Sequence, residues 1–172
     1  KMGEDAGLFL DSFLTPPAGW TVIETAPLLQ MVCEGSEPLT STVEMEELNV
    51  ADVSQMVALA ALTKPGPFGT RTRELGTYIG VRRKGRLVAM AGERLRVPGY
   101  TEVSAVCTHP EHLGCGYASA LVAELMRRIC SRGEVPFLHV RSENRRAIEL
   151  YKRLGFTERL TFRFALLRRG QD

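Results

Sequence analysis

A chain of 172 residues suits one domain with a proper hydrophobic core. Its 44% apolar and 24% charged residues, with 22 basic against 20 acidic side chains and a net charge of +2, give no general argument for nucleic acid or membrane binding. No apolar run approaches the roughly 20 residues needed to span a bilayer, and Gly7-Leu8-Phe9-Leu10 is too short, with flanks too acidic, for a signal peptide.

Residues 1–41 read as an N-terminal strand-rich segment. Two apolar pieces, Gly7–Phe13 and Trp20–Cys33, are parted by Pro16-Pro17-Ala18-Gly19, and Pro27 is expected to interrupt the second piece. The breaker Glu34-Gly35-Ser36-Glu37-Pro38 ends it. Thr42–Leu48 alternates as a strand should. Asn49 or Asp52 can cap a helix whose apolar face is Val53, Met56, Val57 and Ala60. The run Lys64-Pro65-Gly66-Pro67-Phe68-Gly69 then forces a loop. Strands are predicted at Gly76–Arg82, Arg86–Glu93 and Thr101–Thr108, the first two joined by the Lys84-Gly85 turn. Ala118, Leu121, Val122, Leu125, Met126 and Ile129 form an unbroken helical stripe that Gly133 ends. A buried strand, Pro136–Arg141, follows. A short helix comes next, with Ala147, Leu150, Tyr151 and Leu154 on one face, capped by Ser142 or Asn144 and closed by Gly155. Thr157–Leu167 is the last strand. This order is that of a mixed α/β layer fold, not a doubly wound parallel sheet.

The informative turn is Leu113-Gly114-Cys115-Gly116-Tyr117-Ala118, between a strand and a helix N-terminus. Glycines let backbone approach a ligand closely, and unpaired N–H groups at a helix start, with the dipole behind them, suit an anion such as pyrophosphate. A tight turn without ligand is the plain alternative for a lone G-x-G. Nearby, Cys107-x-His109-x-x-His112-x-x-Cys115 has the look of a zinc box. Metal is nevertheless not expected, because Cys107 lies in an alternating strand. Wrapping the turn around zinc would also remove the N–H groups that fit phosphate. The four cysteines read as free thiols of a reducing, cytoplasmic setting.

The turn resembles motif A of the GNAT acetyltransferase superfamily, Q/R-x-x-G-x-G/A, here Leu113-x-x-Gly116-x-Ala118. Asn144-x-x-Ala147-Ile148-x-Leu150-Tyr151-x-x-Leu154-Gly155-Phe156 resembles a later motif of that family, and its C-terminal half is similar to the amino-acid acyltransferase branch. The resemblance covers residues 42–172, expected to form the acetyltransferase domain. It implies a mixed, largely antiparallel sheet with splayed central strands and flanking helices, acetyl-CoA as cosubstrate, and no metal. Leu113 departs from the usual Arg or Gln, so one side-chain contact to the cosubstrate phosphates is absent.

Acetyl transfer to an amine needs a held thioester, a neutral amine, an oxyanion donor and a partner for the departing thiolate. The resemblance places pantetheine against the backbone of Val106 and Thr108, with pyrophosphate on Leu113, Gly114, Cys115, Gly116, Tyr117 and Ala118. It places Tyr151 beside the sulfur, where the residues alone would read as a core tyrosine on the apolar helix face, and Asn144 at the pantetheine or as a helix cap. Glu102 is the candidate base, with Glu93 in reserve; a solvated or ion-paired strand glutamate is the alternative. The implied acceptor is a small-molecule amine or amino acid. No nucleic acid or membrane partner is expected, and a homodimer is compatible with the resemblance. Transfer of a longer acyl group, transfer to a protein amine, or non-catalytic acyl-CoA binding remain open at this point.

Overall fold

The computed structural model describes residues 5–12, 15–35 and 42–170. Phe13, the end of the second breaker at Ser36–Pro38, and residue 41 at the expected domain boundary lie outside the described residues. Among the described residues, eight strands form one sheet. In chain order they are β1 (Asp5–Leu10), β2 (Trp20–Val32), β3 (Glu46–Glu47), β4 (Tyr78–Arg83), β5 (Arg86–Val97), β6 (Tyr100–Thr108), β7 (Val135–Arg141) and β8 (Thr157–Arg169). Three helices accompany them: α1 (Val53–Thr63), α2 (Tyr117–Ser131) and α3 (Arg145–Arg153). Across the sheet the order is β1-β8-β2-β7-β6-β5-β4-β3. Only β6 and β7 run parallel; every other pair is antiparallel. From Thr42 onward the elements follow the predicted order. Among the described residues, no helix is long and apolar enough to cross a membrane.

The N-terminal strands differ from expectation. Trp20–Val32 is one strand of 13 residues, and Pro27 does not break it. Pairing of β2 with β7 begins only at Leu28, while the Pro27 carbonyl accepts from Ser142 N on that same side. The nitrogen of Pro27 therefore faces a stretch without a ladder, where a missing N–H costs nothing. The strand also enters the body of the sheet, between β7 and β8.

Thr42–Leu48 yields only the two-residue strand Glu46–Glu47. Its partner β4 shifts register between Val81 and Arg82, and the Arg82 side chain turns onto Glu46 and Asp52, so no regular edge remains for the earlier residues. Asn49 caps the turn that follows: its side chain accepts from Ala51 N at 2.8 Å while Asp52 accepts from Asn49 N at 2.8 Å. In α1 the buried residues are Met56, Leu59 and Ala60, so Leu59 takes the place expected for Val57.

Two apolar clusters lie on opposite faces of the sheet. α2 and α3 cover one face: Leu121, Leu125, Met126 and Ile129 meet Ile79, Ala89, Ala91, Val103, Leu138 and Val140. α1 covers part of the other, where Met56, Leu59 and Ala60 meet Tyr78, Leu87, Met90 and Cys107. Strand alternation assigns the sides, since Ala89 and Ala91 face α2 while Met90 faces α1.

Candidate active site

The site begins where β6 and β7 part. They pair through Tyr100–Val135, Thr101–Pro136 and Glu102–Phe137, and no further. On its other side β6 carries one extra residue relative to β5, because Met90 pairs with Cys107 but Gly92 with Ser104. Ala105 takes up this bulge with a left-handed φ of 52°. A bulge bends its strand and strengthens the local twist, and that bend carries β6 away from β7. The register with β5 passes over Ala105 and Val106. Peptide groups there are left facing a cleft.

At the C-terminal end of β6 the chain runs through a short turn, Pro110–His112, into the glycine loop. Gly114 (φ 82°) and Gly116 (φ 77°) are both left-handed, and a Cβ built on either would meet no atom within 4 Å. These glycines therefore answer a backbone requirement and leave open space above the loop. Gly116 is the N-cap of α2 and supplies no side-chain cap. Among the described residues the N–H groups of Cys115, Gly116, Tyr117 and Ala118 make no hydrogen bond. A row of open donors at the start of a 15-residue helix has the chemistry to hold an anion. Leu113 is 51% exposed at its edge. The buried Tyr117 ring points into the core instead, with its hydroxyl accepting from Arg83 Nε at 2.9 Å.

Where β6 and β7 part lies the cleft, lined among others by Val106, Asn144, Tyr151, Arg94 and His139. Asn144 caps α3, its Oδ1 accepting from Ala147 N at 3.1 Å. Tyr151 is 7% exposed and contributes to the lining of this cleft. Burial, and secondarily the neighbouring Cys107, push its pKa well above the ordinary tyrosine value. It therefore stays protonated and offers an O–H to the cleft. The buried Thr108 Oγ1 is without a partner among the described residues. An unused polar atom beside an opened strand suits a polar chain such as pantetheine.

Glu102 is 1% exposed and tightly held. Arg94 donates to both of its oxygens, at 2.9 and 2.8 Å, and His139 Nδ1 lies 2.8 Å from Oε1. Burial opposes its ionisation, but the hydrogen bonds from His139 and Arg94 and the Arg94 charge outweigh it, so its pKa falls below the ordinary carboxylate value. Of the readings left open for Glu102, this is the ion-paired one. Glu93 points to the opposite face, as the next-but-eight residue along a bulged hairpin from Glu102 can, and is bound there by Arg96 and by Arg132 at 3.0 Å.

The zinc-box spacing does not assemble. Cys107 is buried, Cys115 is exposed, and His109 caps its own turn by accepting from Glu111 N. Among the described residues no group of three or more His, Cys, Asp and Glu side chains is placed to hold a metal.

Arg94, His139 and Gln30, which join Glu102 at the site, were not singled out by the sequence. The available signal was a lone polar residue, His139, in the otherwise apolar run Pro136–Val140.

Comparison with known proteins decides the family. Residues 78–165 match the model for FR47-like protein. The N-alpha-acetyltransferase RimI of Mycobacterium tuberculosis is 34% identical over 128 residues, covering 68% of this chain and 80% of the relative. The chain belongs to the GNAT family of N-acetyltransferases. A GNAT-family acetyltransferase structure from Novosphingobium aromaticivorans superposes with a TM-score of 0.92 at 42% identity, covering 98% of this chain and 76% of that one. Its agreement over nearly the whole chain extends the GNAT likeness to the N-terminal strands. The ribosomal-protein-S18-alanine N-acetyltransferase of Escherichia coli shares the fold at 19% identity, with a TM-score of 0.61, 75% of this chain and 95% of that chain covered.

Proposed function

We propose that this GNAT enzyme transfers an acetyl group from acetyl-CoA to a primary amine by direct attack on the thioester. The observation that carries the proposal is the continuity of open donors and opened backbone. The cradle at Leu113-Gly114-Cys115-Gly116-Tyr117-Ala118 follows in the chain from Thr108 at the end of β6, and Val106, Asn144 and Tyr151 line the cleft where that strand leaves β7. The spare N–H groups fit a pyrophosphate, and the orphaned Thr108 Oγ1 fits an amide of the pantetheine arm. Acetyl-CoA supplies the acyl thioester; the amine nitrogen bonds to its carbonyl carbon as the carbon–sulfur bond breaks. Backbone N–H near Val106 steadies the charge that builds on the carbonyl oxygen. The Tyr151 O–H donates a hydrogen bond to the leaving sulfur; with the tyrosine pKa raised further by burial, complete proton transfer is not required.

The ion pair on Glu102 bears on the acceptor. A carboxylate shared by Arg94 and His139 is a weak base, so water is the better route for the amine proton. Neutralising a lysine-like amine of pKa about 10.4 at pH 7 costs about 4.6 kcal/mol, whereas an α-amine near 7.8 costs about 1. The site therefore suits an α-amine. Similarity to RimI, named as an N-alpha-acetyltransferase, supports a protein N-terminal amine as a second reading beside a small-molecule acceptor. We place this reaction in the cytoplasm.

The test is CoA release from acetyl-CoA across amines, amino acids and peptides, with CoA binding measured separately by calorimetry. Release with α-amines above that with lysine side-chain analogues is the expected result. CoA binding without release for any acceptor would leave a binding module in place of an enzyme.

A further inference from the structure

Five side chains on neighbouring strands form one hydrogen-bonded chain across the sheet. They are Arg159 on β8, Gln30 on β2, His139 on β7, Glu102 on β6 and Arg94 on β5, in the order in which the strands lie. Arg159 Nη1 donates to Gln30 Oε1 at 2.6 Å, which fixes the orientation of that amide. Gln30 Nε2 must then donate to His139 Nε2, 3.0 Å away. His139 consequently carries its proton on Nδ1 and donates it to Glu102 Oε1 at 2.8 Å. Glu102, already bound by His139, takes the Nε and Nη2 of Arg94.

One donor group is left over. Nη1 of Arg94 makes no hydrogen bond among the described residues, and Arg94 lines the cleft. Its side chain is 20% exposed, with the Phe9 ring 6.0 Å from the guanidinium and 4.5 Å from the His139 ring. The guanidinium is thus held by the Glu102 carboxylate and faced by the Phe9 ring, with a spare N–H₂ available to a bound molecule. The charged side chains that line this cleft are the cations Lys64, Arg94 and Arg141; Arg94 is paired with Glu102 and Arg141 with Glu24 and Glu143, while Lys64 has no ion pair among the described residues. Such a lining favours an oxygen acceptor on the substrate and disfavours a second ammonium, as in a polyamine.

We propose that Arg94 is the acceptor-binding residue that selects amines with a carbonyl or carboxylate oxygen on the adjacent carbon, and that His139 positions it through Glu102. This rests on the acetyl-CoA-dependent reading above. The recognised chemistry is an α-amino carbonyl, whether in a free amino acid or in the first residue of a chain. Gln30 brings the N-terminal strand into acceptor selection by holding His139 in one tautomer.

The test compares kcat/KM for phenylalaninamide, phenylalanine and phenethylamine in the wild type and in Arg94→Lys. Lysine keeps the charge beside Glu102, so the core retains its ion pair, but lacks a second nitrogen for the substrate. The ratio of phenylalaninamide or phenylalanine to phenethylamine should fall at least about 10-fold in the variant, mostly through KM. Differences in amine basicity cancel, because they are common to both enzymes. Whichever of phenylalaninamide and phenylalanine is preferred tells the first residue of a chain from a free amino acid. His139→Asn retains an N–H donor and should restore most of the selectivity lost in His139→Phe. An unchanged ratio in Arg94→Lys overturns the role of Arg94, and equal behaviour of the two His139 variants overturns the positioning role. If CoA alone does not bind the wild type, the underlying acetyl-CoA reading fails and this proposal with it. If CoA binds and transfer proceeds with the ratio unchanged, only this proposal fails.

Discussion

Tyr151 shows how far a side chain's role depends on what surrounds it. On α3 it occupies an apolar helical position, as a core tyrosine would, yet it also lines the cleft. Removing that hydroxyl tests its role directly. Tyr151→Phe is expected to lower kcat by about 10- to 100-fold while calorimetric CoA affinity holds, since a hydrogen bond to the leaving sulfur strengthens only as the bond breaks. An equal fall in CoA affinity would instead mark a binding role. Gly116 makes the corresponding case for the cradle. Alanine there meets no protein atom but must adopt a φ of 77°, so Gly116→Ala should cost about 1 kcal/mol of stability and raise the KM for acetyl-CoA. Differential scanning calorimetry and initial rates separate the two effects. Sequence alone placed both residues, because each requirement is local: a glycine needs only its own φ, and the tyrosine only its helical face. It could not place Glu102 among its partners. Arg94 and His139 stand 8 and 37 positions from it, and Gln30 stands 109 from His139, so their meeting depends on strand register across the sheet.

At the scale of elements, the bulge in β6 opens the cleft. The order of strands and helices was legible from periodicity after Thr42, including the helix that carries the cradle. The bulge was not, because nothing in Thr101–Thr108 distinguishes a regular strand from one with an extra residue at Ala105. The tolerance of β2 for Pro27 was hidden for a related reason: it depends on where the β7 ladder begins. A β-branched side chain at a left-handed φ is costlier than alanine. Ala105→Val should therefore lose about 1–2 kcal/mol of stability and weaken CoA binding, as the bulge relaxes toward regular pairing. A thermal shift with unchanged CoA affinity would separate the bulge from the opening of the cleft.

For the whole molecule, charge pairing sets the response to acid. Glu102 has a folded pKa below its ordinary value, and hydrogen bonding from Arg127, opposed by burial and aided by Arg128, pulls Glu124 down to about 2. Carboxyls whose folded pKa is depressed contribute stability in full above their unfolded pKa and lose it as pH falls through the folded one. The urea midpoint should therefore stay nearly level from pH 7 to about 5 and fall below about 4.5, as the carboxylates begin to take up protons. A midpoint that rises on acidification would contradict this assignment of charges.

The place of β2 between β7 and β8 has a consequence in time. During synthesis this strand emerges early, yet Gln30 waits for His139, 109 residues later, and for Arg159, 129 residues later. Contacts that distant close slowly and leave an unpaired apolar strand exposed meanwhile. The acceptor end of the cleft should accordingly be among the last parts to form, after the cradle, whose glycine loop and helix are contiguous in the chain. A nascent chain stalled before β8 would then hold an anion site without a finished acceptor pocket.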